Sequence, residues 1–212
     1  MRLKDAKRQI RSIDWLIDKH IKKESLVMIG GAPASGKSYV ALDMALSVAT
    51  GKPWLEAHPV QQGEVILVAC EGRDSLLRRV WSWEALKNKG QDVEDAFITQ
   101  AEIVVGTDPN AVNSTEQFAK FIENQAVKPK MIVLDTMNFT LGSCNENDSN
   151  LMTEYFTTLS RNLIRRFKCV VVLVHHTNKG KTDIRGSSAI RGALDALYFV
   201  DQTNGQFVIE ND

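Results

Sequence analysis

Residues 31 to 38 constrain the chain more than any other segment, because they read Gly-Ala-Pro-Ala-Ser-Gly-Lys-Ser. The apolar run 26–29 before them predicts a strand, and the apolar spacing of residues 37–49 predicts a helix. A Gly-rich turn between a strand and a helix offers a phosphate chain several backbone N–H groups and the positive end of the helix dipole. The segment therefore predicts a phosphate-binding loop, or P-loop, in an α/β fold.

The last residues of this loop have specific expected roles. The Lys37 ammonium can reach the β- and γ-phosphates, and the Ser38 hydroxyl can bind Mg²⁺. ATP and Mg²⁺ are therefore the expected cofactors. The expected nucleotide contacts are the loop and the residue that follows it: Gly31, Ala32, Pro33, Ala34, Ser35, Gly36, Lys37, Ser38 and Tyr39.

Predicted strands and helices alternate along most of the remaining sequence. Apolar, β-branched runs alternating with amphipathic segments favour a mostly parallel sheet with helices on both faces. A C-terminal β-hairpin is expected around Asn204-Gly205. Ser114 is expected to cap a helix, because Gln117 follows three residues later. The predicted strands are 65–70, 98–105, 131–134, 169–174, 197–200 and 206–209; the predicted helices are 75–88, 114–125 and 151–166; polar loops are expected at 137–150 and 179–185.

The N-terminal segment carries an apolar pattern of its own. Five residues from Ile10 to Ile21 recur at helical spacing and predict an amphipathic helix within residues 5–21. A chain of 212 residues can bury one sizeable core. We therefore expect a single domain, residues 1–212, with a helical segment at 1–24 and the nucleotide-binding core at 25–212.

The composition limits which binding partners and which cellular compartment are expected. Lys plus Arg equals Asp plus Glu at 26 each, so the strongly basic surface typical of duplex-DNA binders is not expected. The sequence has no apolar run long enough for a membrane span and no apolar signal core. The three cysteines lack paired metal-ligand spacing and predict reduced thiols in a cytoplasmic protein.

Two carboxylates follow apolar strands. Asp135 ends the strand 131–134, where an acid can hold Mg²⁺ opposite the loop serine; the alternative is a turn-capping Asp. Glu71 follows the strand 65–70, where a carboxylate can orient the water that attacks the γ-phosphate. The alternative for Glu71 is a surface residue that begins the next turn.

Two histidines and a basic loop follow the strand 169–174. His175 or His176 could contact the γ-phosphate and report its loss to the next loop; a buried hydrogen-bonded histidine and a metal ligand are the alternatives. Lys179, Lys181 and Arg185 could grip a nucleic-acid backbone or form a solvated surface loop. Arg185 and a later arginine, Arg191, could instead face the γ-phosphate of a neighbouring subunit.

The order of these motifs carries a family resemblance. After the P-loop come Ala-Cys-Glu-Gly-Arg (69–73), Val-Leu-Asp-Thr-Met (133–137), Asn-Glu-Asn-Asp (145–148), Val-His-His-Thr-Asn-Lys (174–179) and Arg-Gly-Ser-Ser-Ala-Ile-Arg (185–191). Over about residues 26 to 200, the chain resembles the RepA-like branch of RecA/DnaB-type ATPases, found in plasmid- and phage-encoded replicative helicases.

The resemblance implies a RecA-like core, a hexameric ring with ATP at the subunit interfaces, and a bacterial cytoplasmic setting. It implies that Glu71 is the catalytic carboxylate and that Asp135 is associated with Mg²⁺. It favours His176 over His175 as γ-phosphate sensor and implies that Arg79 packs on the adenine. It also implies that loops 137–150 and 177–186 contact single-stranded DNA.

The chain departs from this pattern near its C-terminus. Asp201 stands where many ring helicases carry an arginine, so Arg185 or Arg191 would have to supply a trans-acting finger. The sequence ends soon after this strand, which indicates a minimal or truncated member. A replicative helicase is the first functional hypothesis and a recombination or regulatory accessory ATPase without unwinding activity is the second. A small-molecule kinase and a non-catalytic scaffold are the remaining alternatives.

Overall fold

A seven-stranded sheet organises the chain in the computed structural model, which describes residues 13–70, 72–99, 103, 114–142, 144–178, 180, 183–203 and 206–211. The strands are β1 (Trp15–Ile17), β2 (Ile21–Lys22), β3 (Leu26–Gly31), β4 (Val65–Ala69), β5 (Ala96–Thr99), β6 (Met131–Asp135), β7 (Val170–His176), β8 (Ala196–Thr203) and β9 (Gln206–Asn211). The helices are α1 (Lys37–Thr50), α2 (Arg73–Lys87), α3 (Thr115–Asn124), α4 (Met137–Thr140), α5 (Ser149–Leu159), α6 (Arg165–Phe167) and α7 (Ala189–Ala193), with a π-helical stretch (Ser160–Ile164) joining α5 to α6.

The main sheet has the strand order β5-β4-β6-β7-β3-β8-β9. Neighbouring strands from β5 to β8 are parallel, and β9 pairs antiparallel with β8. This confirms the predicted mostly parallel sheet and C-terminal hairpin, whose turn residues 204–205 lie outside the described residues. Parallel strands bring their carboxyl ends to one edge of the sheet, and there β3, β6 and β7 present the P-loop, Asp135 and the two histidines.

Side-chain alternation gives the sheet two buried faces. Val27 and Ile29 of β3 pack with α1, α2 and the β1–β2 hairpin, while Leu26 and Met28 pack with α3 and α5. Burial on both faces explains why the central strands are apolar throughout. Within the described residues, no helix combines the length and apolar character needed to cross a membrane.

The predicted N-terminal helix is wrong where the structure describes it. Residues 15–17 and 21–22 form the antiparallel strands β1 and β2, and residues 1–12 lie outside the described residues. Lys19 adopts a left-handed φ of 60° in the connecting turn. The hairpin buries Leu16, Ile17 and Ile21 against the face that packs on α1, so a folded-back pair of short strands produced the same spacing as a helix.

The polar segment 137–150 is not a continuous loop. Its first four residues form α4, and the helix α5 already begins at Ser149. Met137 and Thr140 are buried, and the Thr140 hydroxyl lies 2.7 Å from the buried Tyr155 hydroxyl. Burial against α5 overrides the loop-like composition of this segment.

Other predicted elements agree in position but differ at their ends. The cap of α3 is confirmed, because the Gln117 amide donates to the Ser114 hydroxyl at 3.3 Å. β5 ends at Thr99, and most of the rest of the predicted strand 98–105 lies outside the described residues. In α2, Trp81 and Leu86 are exposed, whereas Trp83 is buried and its indole N–H donates to Asp43 at 2.7 Å.

Candidate nucleotide-binding site

The P-loop connects the end of β3 at Gly31 to the start of α1 at Lys37. Gly36, at the N-cap position, has a φ of 97°, a left-handed conformation that favours glycine. Lys37 is buried, and its ammonium donates to the Ala32 carbonyl at 2.7 Å across the loop. The ammonium is therefore held next to the backbone that would surround a phosphate chain.

A cleft opens beside this loop, between α1, α2 and the ends of β4 and β6. It is lined by three residues proposed from sequence, Ser38, Arg79 and Asp135. A serine hydroxyl and a carboxylate are oxygen ligands of the kind that Mg²⁺ prefers. The two side chains converge on one cleft from different elements, so they fit the expected metal.

Glu71 lies outside the described residues, and its catalytic role stays a prediction. Its neighbours bracket the cleft, because Ala69 and Gly72 both line it. The Cys70 amide donates to the Asp135 carbonyl at 3.0 Å, which holds the end of β4 beside the end of β6.

An aromatic patch borders the start of α1 on the outer side. The Arg79 guanidinium lies 4.9 Å from the centre of the exposed Tyr39 ring, within cation–π range. The Phe207 ring of β9 lies 6.5 Å from the Tyr39 ring at an interplanar angle of 26°. A Cβ atom on Gly36 would overlap the Phe207 ring. Sequence reasoning missed Phe207; its one sequence signal is an aromatic residue on an edge strand.

The two histidines occupy opposite faces of the sheet. His176 pairs in register with Gly31 of β3 and shares the side of Val174, which belongs to the core packed on α1. His175 is fully buried, and its Nε2 lies 3.0 Å from the Arg185 carbonyl oxygen. Burial lowers the pKa of His175 and favours its neutral form. His176 is therefore the histidine on the P-loop side.

The two arginines expected to reach a neighbouring subunit's γ-phosphate, Arg185 and Arg191, have partners in their own chain. The Arg185 Nε lies 2.6 Å from Oε1 of Glu146, and Nε of Arg191 lies 3.6 Å from Asp183. Arg191 also lines a second cleft, together with Ala32 of the P-loop. A trans-acting role for either arginine stays a prediction.

Sequence reasoning also missed Glu146, which was only one letter of an Asn-rich motif. Lys179 and Lys181 of the basic loop lie outside the described residues. On either side of these residues, the Asn178 amide donates to the Asp183 carbonyl at 2.8 Å.

Comparison with known proteins agrees with this geometry. The family model described as "AAA domain" matches residues 1–182. Solved structures that resemble the chain include one described as an ATPase domain, with a TM-score of 0.61 and 13% identity, covering 94% of this chain and 80% of that one. A search of curated proteins found no match. The chain therefore has the RecA-like ATPase fold and belongs to the AAA domain family.

Proposed function

We propose that this chain is an ATP-hydrolysing motor that acts on single-stranded DNA, of the replicative helicase type. The observation that carries the proposal is the register of β7 against β3. It sets His176 beside Gly31, and the Thr177 amide donates to the Gly31 carbonyl at 3.2 Å. The segment 177–186, which is expected to contact DNA, therefore begins next to Gly31, the first residue of the P-loop. A change at the γ-phosphate has a short path to that segment.

Hydrolysis in this proposal uses the P-loop, the cleft beside it and residues at the ends of neighbouring strands. Lys37 and the P-loop amides bind the β- and γ-phosphates, and Ser38 and Asp135 hold Mg²⁺. The metal neutralises phosphate charge when it is bound. Glu71 orients the attacking water, and His176 contacts the γ-phosphate. Arg79 and Tyr39 offer a cation and an aromatic face to the adenine.

The proposed assembly is a hexameric ring with ATP at the interfaces between copies. In that ring, Arg185 or Arg191 of one copy reaches the γ-phosphate held by the next. The segments 137–150 and 177–186 line the central channel and contact the DNA backbone. The formal net charge of zero means that this contact rests on local charges rather than on a basic surface as a whole.

The test measures ATP turnover with and without single-stranded DNA, together with mass by light scattering under the same conditions. Stimulation of turnover by DNA in a multimer supports the proposal, and a DNA-independent rate in a monomer contradicts it. Duplex DNA of the same length is the control ligand, since it shares the backbone charge but not the free bases.

A strand-displacement assay on forked DNA then separates the two leading functions. Unwinding that requires ATP supports the helicase. DNA-stimulated hydrolysis without displacement supports a recombination or regulatory accessory ATPase of the same fold.

A further inference from the structure

The two segments proposed to contact DNA, residues 137–150 (the first loop) and 177–186 (the second loop), are joined by a charged contact. This contact, here called the loop junction, is formed by Asn138, Glu146, Arg185 and Ser187. Nε of Arg185 lies 2.6 Å from Oε1 of Glu146, and Nη2 donates to Oε2 at 3.2 Å. Nη2 also donates to the Asn138 side-chain oxygen at 3.3 Å. One guanidinium on the second loop therefore contacts two side chains on the first.

Backbone contacts bring the two segments still closer. The Ser187 amide donates to the Glu146 carbonyl at 2.7 Å, and the Ser187 hydroxyl lies 2.7 Å from that of Ser149 at the start of α5. Between the arginine and the serine lies Gly186, with a φ of 111°. A Cβ at Gly186 would stand 2.8 Å from the Glu146 carbonyl oxygen, so only glycine allows this approach.

The junction also connects to the P-loop strand. The His175 Nε2 lies 3.0 Å from the Arg185 carbonyl and 3.7 Å from Oε2 of Glu146. The Arg185 amide donates to the His176 carbonyl at 3.1 Å. Since His176 pairs with Gly31, a continuous set of contacts runs from the P-loop through β7 to Glu146 on the first loop.

We propose that Glu146 is a positioning residue that makes the first loop follow the second when the nucleotide state changes. Its side chain is 16% exposed against 42% for Arg185, so the carboxylate is the more buried partner of the pair. Without that charge, the arginine loses its strongest tie to residues 137–150, while the second loop keeps its backbone contacts to β7. This inference rests on the proposed function, in which the two loops grip the same DNA strand.

The test compares Glu146→Gln with Glu123→Gln in the full chain. Glu123 is a matched control, because its carboxylate also pairs with an arginine, Arg166, at 2.7 Å, but joins α3 to α6 instead of the loops. Hydrogen exchange is followed in residues 137–150 and 177–186, with and without Mg²⁺ and a non-hydrolysable ATP analogue.

In the wild type and in Glu123→Gln, we expect the analogue to change exchange in both loops. In Glu146→Gln, we expect the analogue to change hydrogen exchange in the second loop as it does in the wild type. In the first loop, the change in exchange should be smaller by about fivefold or more, a typical coupling effect. Glu146→Asp, which retains the charge, should recover part of it. Equal responses in the two Gln variants, or a first loop that never responds in the wild type, would overturn the proposal.

Two further outcomes keep this inference distinct from the proposed function. If Glu146→Gln does not melt cooperatively, the comparison is made with Glu146→Asp, whose shorter side chain should weaken the first-loop response; an unchanged response counts against the proposal. If DNA fails to stimulate wild-type turnover, the motor function fails, and the exchange data still decide whether Glu146 couples the loops. A chain that does not bind the analogue at all would overturn both.

Discussion

The cleft beside the P-loop and the loop junction lie at the same edge of the sheet but are built in opposite ways. The cleft brings Ser38, Arg79 and Asp135 together around a space that is open to solvent. In the junction, Arg185 and Glu146 bond directly to each other and to the backbone around them. The first arrangement can receive a ligand, and the second can pass on a displacement.

Because the two sites are built differently, substitutions in the cleft and in the junction should change different measured properties. A change in the cleft should affect turnover whether or not DNA is present, because it removes a group that touches the nucleotide. A change at Glu146 or Gly186 in the junction should leave the phosphate-binding groups of the same chain in place and alter folding stability or the response to DNA.

The largest effect is expected for Lys37→Ala. The ammonium is the one P-loop side chain that can neutralise the β- and γ-phosphates, so turnover should fall by about 100-fold or more. Steady-state ATP hydrolysis measures it, with Lys120→Ala on the exposed face of α3 as the control. Turnover retained in Lys37→Ala would exclude the P-loop assignment.

Glu71→Gln should separate binding from chemistry. The amide keeps the shape of the side chain but cannot take a proton from water, so hydrolysis should slow by about 100-fold while ATP binding persists. Calorimetric titration gives the binding and single-turnover kinetics give the rate. A rate within about threefold of the wild type, roughly 0.65 kcal/mol of barrier, would remove Glu71 from the mechanism.

Gly186→Ala tests the junction through folding stability. The added Cβ meets the Glu146 carbonyl and forces a left-handed backbone on alanine, so the free energy of unfolding should fall by about 1–3 kcal/mol. Gly192→Ala is the matched control, since a Cβ there meets nothing within 4 Å and the position is helical. Denaturant titration that finds equal stabilities for the two variants would contradict the close approach at Glu146.

The smallest effect concerns the protonation of His175. Burial lowers its pKa below the ordinary 6.5, although the Arg185 carbonyl and Glu146 oppose this change. The unfolded chain then binds more protons than the folded one as pH falls through about 6.5, so acid should reduce stability.

His175→Gln should flatten this dependence between about pH 7.5 and 5.5, because glutamine can still donate to the Arg185 carbonyl but does not titrate. His20, whose pKa burial also lowers, is present in both proteins, so the difference between the two curves isolates His175. Parallel curves would mean that His175 binds protons equally in the folded and unfolded chains.

The sequence indicated the parts of the fold that depend on local patterns. The P-loop, α1, the central strands and the Ser114 cap are each specified by residues close together in the chain. The β1–β2 hairpin was misread because Leu16, Ile17 and Ile21 satisfy a helical spacing and also bury well in two short strands. Periodicity cannot separate these cases when the segment is short.

The residues of the candidate site also differ in whether local sequence patterns could identify them. Ser38 and Asp135 could be proposed because each belongs to a motif next to a predicted strand or helix, and Arg79 because the family resemblance implies its role. Glu146 and Phe207 could not, because their roles depend on contacts with Arg185 and Gly36, which are far away in the chain. Such contacts follow from the strand order, which single-sequence patterns do not contain.

The position of β7 limits how this molecule can signal. β7 is hydrogen-bonded to β6 on one side and to β3 on the other, with Val174 opposite both Ile29 and Asp135. Sliding it by even one residue would break two ladders at once and turn buried side chains to the wrong face. The strand is therefore held on both sides, and we expect movement driven by the nucleotide to begin beyond His176, where isolated hydrogen bonds and the junction hold the described residues.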